Sequence, residues 1–160
     1  VAAVRGLALG GGCELAVHCA RRVVHMESYV GLVEVGVGLI PGAGGLTYIA
    51  RRAAEMAAAG NANADLLAFL KDGFTSAAMA KVGTSAIESR KLGYVLDSDI
   101  IVPNKDELLY MALNEARARG GRIVPVGTTS LRRPRFARQA RLGADGNCRR
   151  RGEVGIAALR

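Results

Sequence analysis

The spacing of apolar residues changes several times along this chain, and each spacing predicts a different element. Residues 2–9, AAVRGLAL, are almost all apolar and are typical of one buried strand, whereas residues 12–21 place apolar side chains at helical spacing. Residues 23–31 alternate and predict a second strand. Further helices are expected at 53–70 with an interruption at 60–65, at 76–81, at 85–92 and at 104–119, and a short strand is expected at 99–103. The mixture predicts an α/β fold.

Residues at the ends of these elements support their limits. Gly93 is a typical helix stop, and Asn104 is a candidate N-cap for the helix that follows. Pro41 and Gly42 interrupt the turn-rich stretch 33–52, and a helix is expected to begin near Gly44.

The charge of the chain is unevenly distributed. Residues 1–118 carry 11 Lys and Arg and 12 Asp and Glu, whereas residues 119–160 carry 11 Arg and only two acidic residues. The net charge of +8 therefore belongs to the tail. We predict two segments, a folded body at 1–118 and an Arg-rich tail at 119–160 that is disordered or the product of a frame shift, with a helix start at 155–160. Arg clusters also bind RNA phosphates, but the tail shows no RNA-binding module, so nucleic-acid binding is the weaker interpretation.

The amino-acid composition indicates in which cellular compartment the protein is expected. Three cysteines are an odd and sparse set, which favours a reducing cytoplasm over a disulfide framework. The apolar residues 1–20 include Arg5 and Glu14 and follow no basic leader, so we expect neither a signal peptide nor a membrane span. Because the first residue is Val rather than Met and the sequence begins inside a predicted strand, we expect the chain to be a fragment or a processed chain.

Gly10, Gly11 and Gly12 directly precede Cys13 and Glu14 at the start of a predicted helix. Backbone N–H groups at a helix start are free of intrahelical partners, and glycine lets a ligand approach them closely. An oxyanion formed on a substrate carbonyl could be held there, with Glu14 beside it. The competing interpretation is that the glycines only allow close packing and that Glu14 only favours the first helical turn.

A second glutamate, Glu34, lies in the apolar and glycine-rich stretch GLVEVGVGLIPGAGG. A carboxyl group without an obvious basic partner can serve as a general acid. Two glutamates on either side of one water could add that water to a double bond or remove it. Taken alone, without Glu14, Glu34 is better interpreted as a solvated loop residue.

Together these motifs resemble the crotonase superfamily, the enoyl-CoA hydratases and isomerases. The family pattern G-x-A-x-G-G-G-x-E stands here as Gly6–Glu14, and V-E followed by I-P-G-x-G-G stands as Val33-Glu34 and 40–45. The spacing of the two glutamates and the segment SAIESRKLGYVLDSDII also resemble the family. The resemblance covers about residues 1–117.

The resemblance implies a crotonase-type spiral of βαβ units with C-terminal helices, of which the N-terminal half is absent. It implies that the Gly11 N–H forms half of an oxyanion hole, and that Glu14 and Glu34 activate water and exchange the proton on the α-carbon. The substrate would be an acyl-CoA thioester, no further cofactor would be needed, and the intact protein would form trimers. Which residues bind CoA is left open.

The longer helical region resembles the hydratase domain of bacterial bifunctional 3-hydroxyacyl-CoA dehydrogenase/enoyl-CoA hydratases. That resemblance implies reversible hydration of a trans-2-enoyl-CoA in fatty-acid β-oxidation, with NAD used only in a dehydrogenase domain that these residues do not contain. The fragment alone is expected to have little activity. An enoyl-CoA isomerase, a non-catalytic remnant and an RNA-binding chain remain as alternatives, and residues 118–132 resemble a short stretch of the tRNA ribosyltransferase-isomerases.

Two other kinds of site are disfavoured. The stretch GVGLIPGAGG does not have the G-x-G-x-x-G spacing of a dinucleotide-binding loop. Cys13, His18, Cys19 and His25 lack the spacing of a zinc site, so we predict no metal.

Overall fold

The computed structural model describes residues 1–60, 65–120, 122–126 and 153–159, the last two ranges as backbone only. The chain forms eight strands, five α-helices and a short 3-10 helix at Glu34–Val37 within this part. In chain order the strands are β1 Ala2–Val4, β2 Leu7–Leu9, β3 Arg22–His25, β4 Tyr29–Gly31, β5 Val82–Gly83, β6 Ile100–Val102, β7 Arg122–Val126 and β8 Glu153–Leu159. The α-helices are α1 Gly11–His18, α2 Gly45–Ala59, α3 Leu66–Ala78, α4 Ala86–Lys91 and α5 Leu108–Ala118.

The strands form two sheets that the chain visits alternately. One sheet has the order β6-β3-β1-β8-β7, and the other has the order β2-β4-β5. β1 and β2 are followed by α1, and β3 and β4 are followed by the 3-10 helix and α2, so the chain repeats a strand–strand–helix turn. Strand β3 pairs parallel with β1, and β4 pairs parallel with β2. The second turn is therefore stacked on the first.

The prediction of single strands at 2–9 and 23–31 was wrong, because each stretch is split between the two sheets. Gly6 adopts a positive φ of 70°, which turns the chain from β1 into β2. In the second stretch a turn closes between His25 and Ser28, where the Ser28 N–H donates to the His25 carbonyl over 3.1 Å. Both interruptions are short enough that the run of apolar residues continues through them.

The predicted helices differ from the observed ones mainly in their limits. The break expected at 60–65 is confirmed, since α2 ends at Ala59 and α3 begins at Leu66; residues 61–64 lie outside the described part. The helix predicted at 76–81 is the end of α3. The N-cap prediction for Asn104 was wrong, because its Oδ1 accepts from the Asp106 N–H in a turn before α5 begins.

Two apolar clusters hold these elements together. The larger joins the two sheets to α1 and α2 and includes Val4, Val17, Val24, Leu32 and Tyr48. The smaller lies under α5 and includes Val23, Leu108 and Ala112. Burial of such aliphatic side chains contributes about 25 cal/mol per Å² of apolar surface removed from water.

Two strands lie in the segment predicted as a tail. Strand β8 pairs parallel with both β1 and β7. The helix start predicted at 155–160 was wrong, because Gly155–Leu159 belong to β8, where pairing with distant strands overrides the local pattern. The rest of the tail, including 121 and 127–132, lies outside the described residues, so its origin stays a prediction. None of the described helices combines the length and the apolar character needed to cross a membrane.

Candidate active site

The glycine run forms the turn between β2 and α1. Gly10 has a positive φ of 56° and precedes a helix that has no side-chain cap. Its own N–H donates to the Gly31 carbonyl at the end of β4, over 2.9 Å. The N–H of Gly11, the first residue of α1, has no hydrogen-bond partner within the described residues. This N–H is therefore available to a ligand, as the first N–H groups of a helix commonly are.

Glu14 lies one turn into α1 and is only 4% exposed. Its Oε1 accepts a hydrogen bond of 2.8 Å from the N–H of Gly45, the first residue of α2. A carboxylate at a helix start is stabilised by the free N–H groups and the positive end of the helix dipole. Its second oxygen, Oε2, lies 4.0 Å from where a Cβ on Gly11 would be, so this carboxylate spans the starts of two helices.

Glu34 begins the 3-10 helix and reaches back to the glycine turn. Its Oε1 lies 3.4 Å from the position that a Cβ on Gly10 would occupy. Both of its carboxylate oxygens are buried, and neither has a hydrogen-bond partner in the described residues. An unpartnered buried carboxylate is costly for a folded protein and calls for a reason in ligand binding or catalysis.

The two glutamates therefore converge on neighbouring residues, Glu34 on Gly10 and Glu14 on Gly11. The pKa of the Cys13 thiol is consistent with both glutamates lying near the start of α1. Burial is the main reason that the pKa of Cys13 is raised to about 12, and the charges of Glu34 and Glu14 contribute to the same rise. Two carboxylates and one free backbone N–H thus share a small region of the surface of α1.

The start of α2, which holds Glu14, is itself fixed by contacts that the sequence did not reveal. Gly44 has a φ of 119°, and its carbonyl lies 3.0 Å from Nε2 of His18. A Cβ on Gly45 would lie 2.7 Å from Pro41 and 2.9 Å from Leu32, closer than side chains can pack. The Gly44-Gly45 pair of I-P-G-x-G-G therefore lets α2 begin close enough to Glu14 for the Gly45 N–H to donate to its carboxylate.

Cofactor and metal ligands are not evident in this region. Within the described ranges, no group of three or more His, Cys, Asp or Glu side chains lies close enough to hold a metal ion. The histidine that the sequence placed in a loose metal set, His18, instead packs edge-on against Tyr48 with ring centroids 6.2 Å apart.

Comparison with known proteins identifies the family. The family model described as Enoyl-CoA hydratase/isomerase matches residues 1–83, just over half of the chain. The chain belongs to the enoyl-CoA hydratase/isomerase family. The prediction of a crotonase resemblance, made from the two glutamate motifs, is confirmed.

The individual proteins that this family member resembles are consistent with the family assignment. A probable 3-hydroxyacyl-CoA dehydrogenase of Bacillus subtilis is 42% identical over 117 residues, which are 70% of this chain and 13% of that protein. A short-chain-enoyl-CoA hydratase of Clostridium acetobutylicum is 47% identical over 51 residues, 32% of this chain and 20% of that one. The crystal structure of an enoyl-CoA hydratase from Bacillus anthracis matches with a TM-score of 0.53 and 28% identity, over 74% of this chain and 38% of that structure.

These matches confirm the predicted crotonase-type α/β fold. They also show that this hydratase/isomerase family member spans well under two thirds of the length of the relatives it matches, 13% of the Bacillus subtilis protein and 38% of the Bacillus anthracis chain.

Proposed function

We propose that these residues carry the acid–base half of an active site that reversibly hydrates a trans-2-enoyl-CoA. The observation that supports this most directly is the convergence of Glu14 and Glu34 on Gly10 and Gly11. Hydration needs one group that takes a proton from water and another that gives a proton to carbon, and two carboxyl groups can do both.

The two carboxyl groups differ in a way that suits separate roles. Glu14 uses Oε1 to accept from the Gly45 N–H, which leaves Oε2 for a water molecule or a substrate. Both oxygens of Glu34 are without partners in the described part of the chain. In the forward reaction one carboxylate would accept a proton from water as its oxygen bonds to the β-carbon. The other, starting protonated, would give its proton to the α-carbon, so the two protonation states exchange.

The thioester carbonyl would lie at the start of α1. As charge moves onto its oxygen, the Gly11 N–H can donate to it, with help from the positive end of the helix dipole. The exposed apolar side chains that follow Glu34 would provide a surface for the acyl chain; they are Val35, Val37, Leu39 and Ile40.

A single oxyanion donor limits what the chain can do alone. In other enzymes the loss of one such donor lowers the rate by about 10²–10³. The family resemblance places the second donor in a half-domain that the 160 residues do not include, so we propose that this chain by itself hydrates enoyl-CoA slowly or not at all.

We base the proposed role of the intact protein on its relatives. The name of the Bacillus subtilis relative, a probable 3-hydroxyacyl-CoA dehydrogenase, supports a parent protein that uses NAD in another domain. Such a protein would act in fatty-acid β-oxidation, bind acyl-CoA, assemble as a trimer and work in the cytoplasm. Dehydrogenation of the 3-hydroxyacyl product would then follow hydration directly.

The test is a chimaera in which residues 1–118 replace the matching segment of the Bacillus anthracis hydratase, which supplies the rest of the fold. We expect it to remove the conjugated absorbance of a trans-2-enoyl-CoA, and Glu14→Gln or Glu34→Gln to lower the rate by about 10²–10⁴. Glu55→Gln, which changes an exposed glutamate of α2, is the control and should leave the rate unchanged.

Three results would contradict the proposal. A folded chimaera without hydration would reject it, and so would a full rate in either active-site variant. If the chimaera shifts the double bond of a 3-enoyl-CoA but never adds water, the isomerase alternative replaces hydration.

A further inference from the structure

A polar cavity lies at the carboxyl ends of three neighbouring parallel strands. Arg5 follows β1, His25 ends β3, and Lys105 comes three residues after β6. With Gly6 and Glu27 they line a cavity of about 270 Å³. Ligands of open α/β sheets commonly bind outside the carboxyl ends of the strands. The location is therefore suited to binding even though no motif in the sequence marks it.

His25 forms the inner wall of this cavity. It is only 7% exposed, yet its imidazole ring has no hydrogen-bond partner within the described residues. Its ring nitrogens are not fully enclosed and reach the cavity, where water or a bound molecule can form hydrogen bonds with them. A mostly buried imidazole that lines a cavity without a protein partner points to a ligand that supplies one.

The charged side chains around His25 favour an anion. Arg5 and Lys105 are exposed, and neither forms an ion pair in the part of the chain that the structure describes. Glu27 lines the same cavity, also without an ion pair there. Two cations against one carboxylate leave a net positive cavity. Arginine and lysine are the residues that most often bind phosphate and carboxylate groups.

The rim of the cavity is held by backbone hydrogen bonds. The Gly6 carbonyl accepts from the Tyr29 N–H over 2.7 Å, and the Val102 carbonyl accepts from the Met26 N–H over 2.9 Å. The Ser28 hydroxyl also donates to the Val4 carbonyl over 3.2 Å. The three strand ends are thus tied to one another before any ligand arrives.

We propose that this cavity binds a phosphate group, free or as a small phosphomonoester, between Arg5, His25 and Lys105. Its volume falls below the range of about 300–1,000 Å³ typical for drug-sized ligands, which favours a small anion over a nucleotide. Neither Glu14 nor Glu34 is among the residues that line this cavity. The site does not depend on the proposed hydration.

The chain has two histidines, so proton NMR of the imidazole rings can follow the site directly in the 160-residue protein. The His18→Gln variant assigns the two resonances. We titrate inorganic phosphate, then glycerol phosphate, at an ionic strength kept constant with chloride. The His25 resonance should move saturably with half-saturation on the order of millimolar, while that of His18 stays in place.

Variants of the exposed cations test the assignment without disturbing the core. Arg5→Ala and Lys105→Ala should each weaken binding by about tenfold, the loss of one charge-assisted hydrogen bond, and Glu27→Gln should strengthen it. Lys71→Ala, which removes an exposed lysine of α3, is the matched control and should leave binding unchanged.

Saturation by either phosphate supports the proposal, and a preference for one of them identifies the source of the group. No saturable movement of the His25 resonance would overturn it. An equal movement with chloride alone, or unchanged affinity in both cation variants, would overturn it as well.

Discussion

At the scale of single residues, two buried tyrosines differ in one hydrogen bond. The Tyr48 hydroxyl of α2 donates to the Gly93 carbonyl over 2.5 Å. The Tyr94 hydroxyl is equally enclosed but has no partner in hydrogen-bond geometry among the described residues, although the Leu32 backbone lies close enough to affect its pKa. The Tyr48 hydroxyl therefore stabilises the fold, whereas the Tyr94 hydroxyl loses its contact with water on folding and gains no hydrogen bond in return.

This difference gives a prediction about stability. Tyr48→Phe should lower the free energy of unfolding by about 0.5–1.5 kcal/mol and leave the Gly93 carbonyl unpaired. Tyr94→Phe removes an unpartnered polar atom and should be neutral or stabilising. Urea unfolding of the two variants, each being the control for the other, measures the contrast. A larger loss for Tyr94→Phe would contradict the structure.

Part of the candidate site could be predicted from the sequence, because the residues concerned lie in short, continuous motifs. The glycine run, Glu14 and Glu34 stand in motifs that are readable in one dimension, and the structure brings them together. The partner of Glu14 was missed, because the Gly45 N–H comes from a helix 31 positions away. No local pattern states that two helix starts meet.

At the scale of elements, a buried ion pair fastens β3 to the loop that leads into β6. Arg22 Nε lies 2.5 Å from Asp99 Oδ2, with side chains 4% and 1% exposed. Asp99 Oδ1 also accepts from the Arg22 N–H over 2.9 Å, and Oδ2 accepts from the Leu96 N–H over 2.7 Å. Arg22 in turn donates to the Val17 carbonyl near the end of α1. One pair therefore fixes three elements.

Removing one member of this ion pair should strongly lower the free energy of unfolding. Asp99→Asn leaves the Arg22 guanidinium buried without its counter-charge, and we expect a loss of about 3–5 kcal/mol in the free energy of unfolding. The control is Glu55→Gln in the exposed ion pair with Arg51, where a change within about 1 kcal/mol is expected. Thermal and chemical unfolding of both variants provide the comparison. Equal losses would show that Asp99 does not act through the buried charge.

Elements themselves were predicted well where a strong terminator ends them. Gly93 follows the end of α4, as the sequence indicated, and at the start of that helix the Ser85 hydroxyl accepts from the Glu88 N–H. The strands were predicted less well, because three-residue strands are too short to show a period. Their limits depend on which sheet each one joins, and that is a property of distant residues.

At the scale of the whole molecule, burial makes the fold sensitive to alkali. Burial raises the pKa of Cys13 from 9.0 to about 12, and it raises the pKa values of Tyr48 and Tyr94 from 10.0 to about 12. In the unfolded chain these groups ionise near their ordinary values. Folding keeps them neutral, so their contribution to stability is complete below pH 9 and is lost as the pH rises towards 12.

We therefore expect the free energy of unfolding to be constant near neutrality and to fall steeply above pH 9. Cys13→Ala should make the fall shallower, whatever its effect on stability at neutral pH, because one of the three groups no longer ionises on unfolding. Cys19→Ala, which removes a half-exposed thiol, is the matched control. Urea unfolding across this pH range measures both slopes, and identical slopes in the two variants would contradict the assignment.

The general architecture could be predicted from the sequence, whereas the phosphate cavity could not. Family motifs specify the strand–helix turn that carries Glu14, and that turn implies the rest of the spiral. Arg5, His25 and Lys105 are far apart in the sequence and belong to no motif. They meet only because β1, β3 and β6 lie side by side and end at the same edge.

The stacking of the turns has an evolutionary consequence. The hydrogen bond from Gly10 to Gly31, the pairing of β2 with β4 and the hydrogen bond from the Gly45 N–H to Glu14 set the position of one glutamate relative to the other, all within residues 7–45. Recombination that exchanges sequence outside this stretch would leave the two glutamates, and with them the proposed acid–base pair, in place. A lineage could therefore change acyl-chain preference or fusion partners by exchanging whole segments while it inherits the chemistry unaltered.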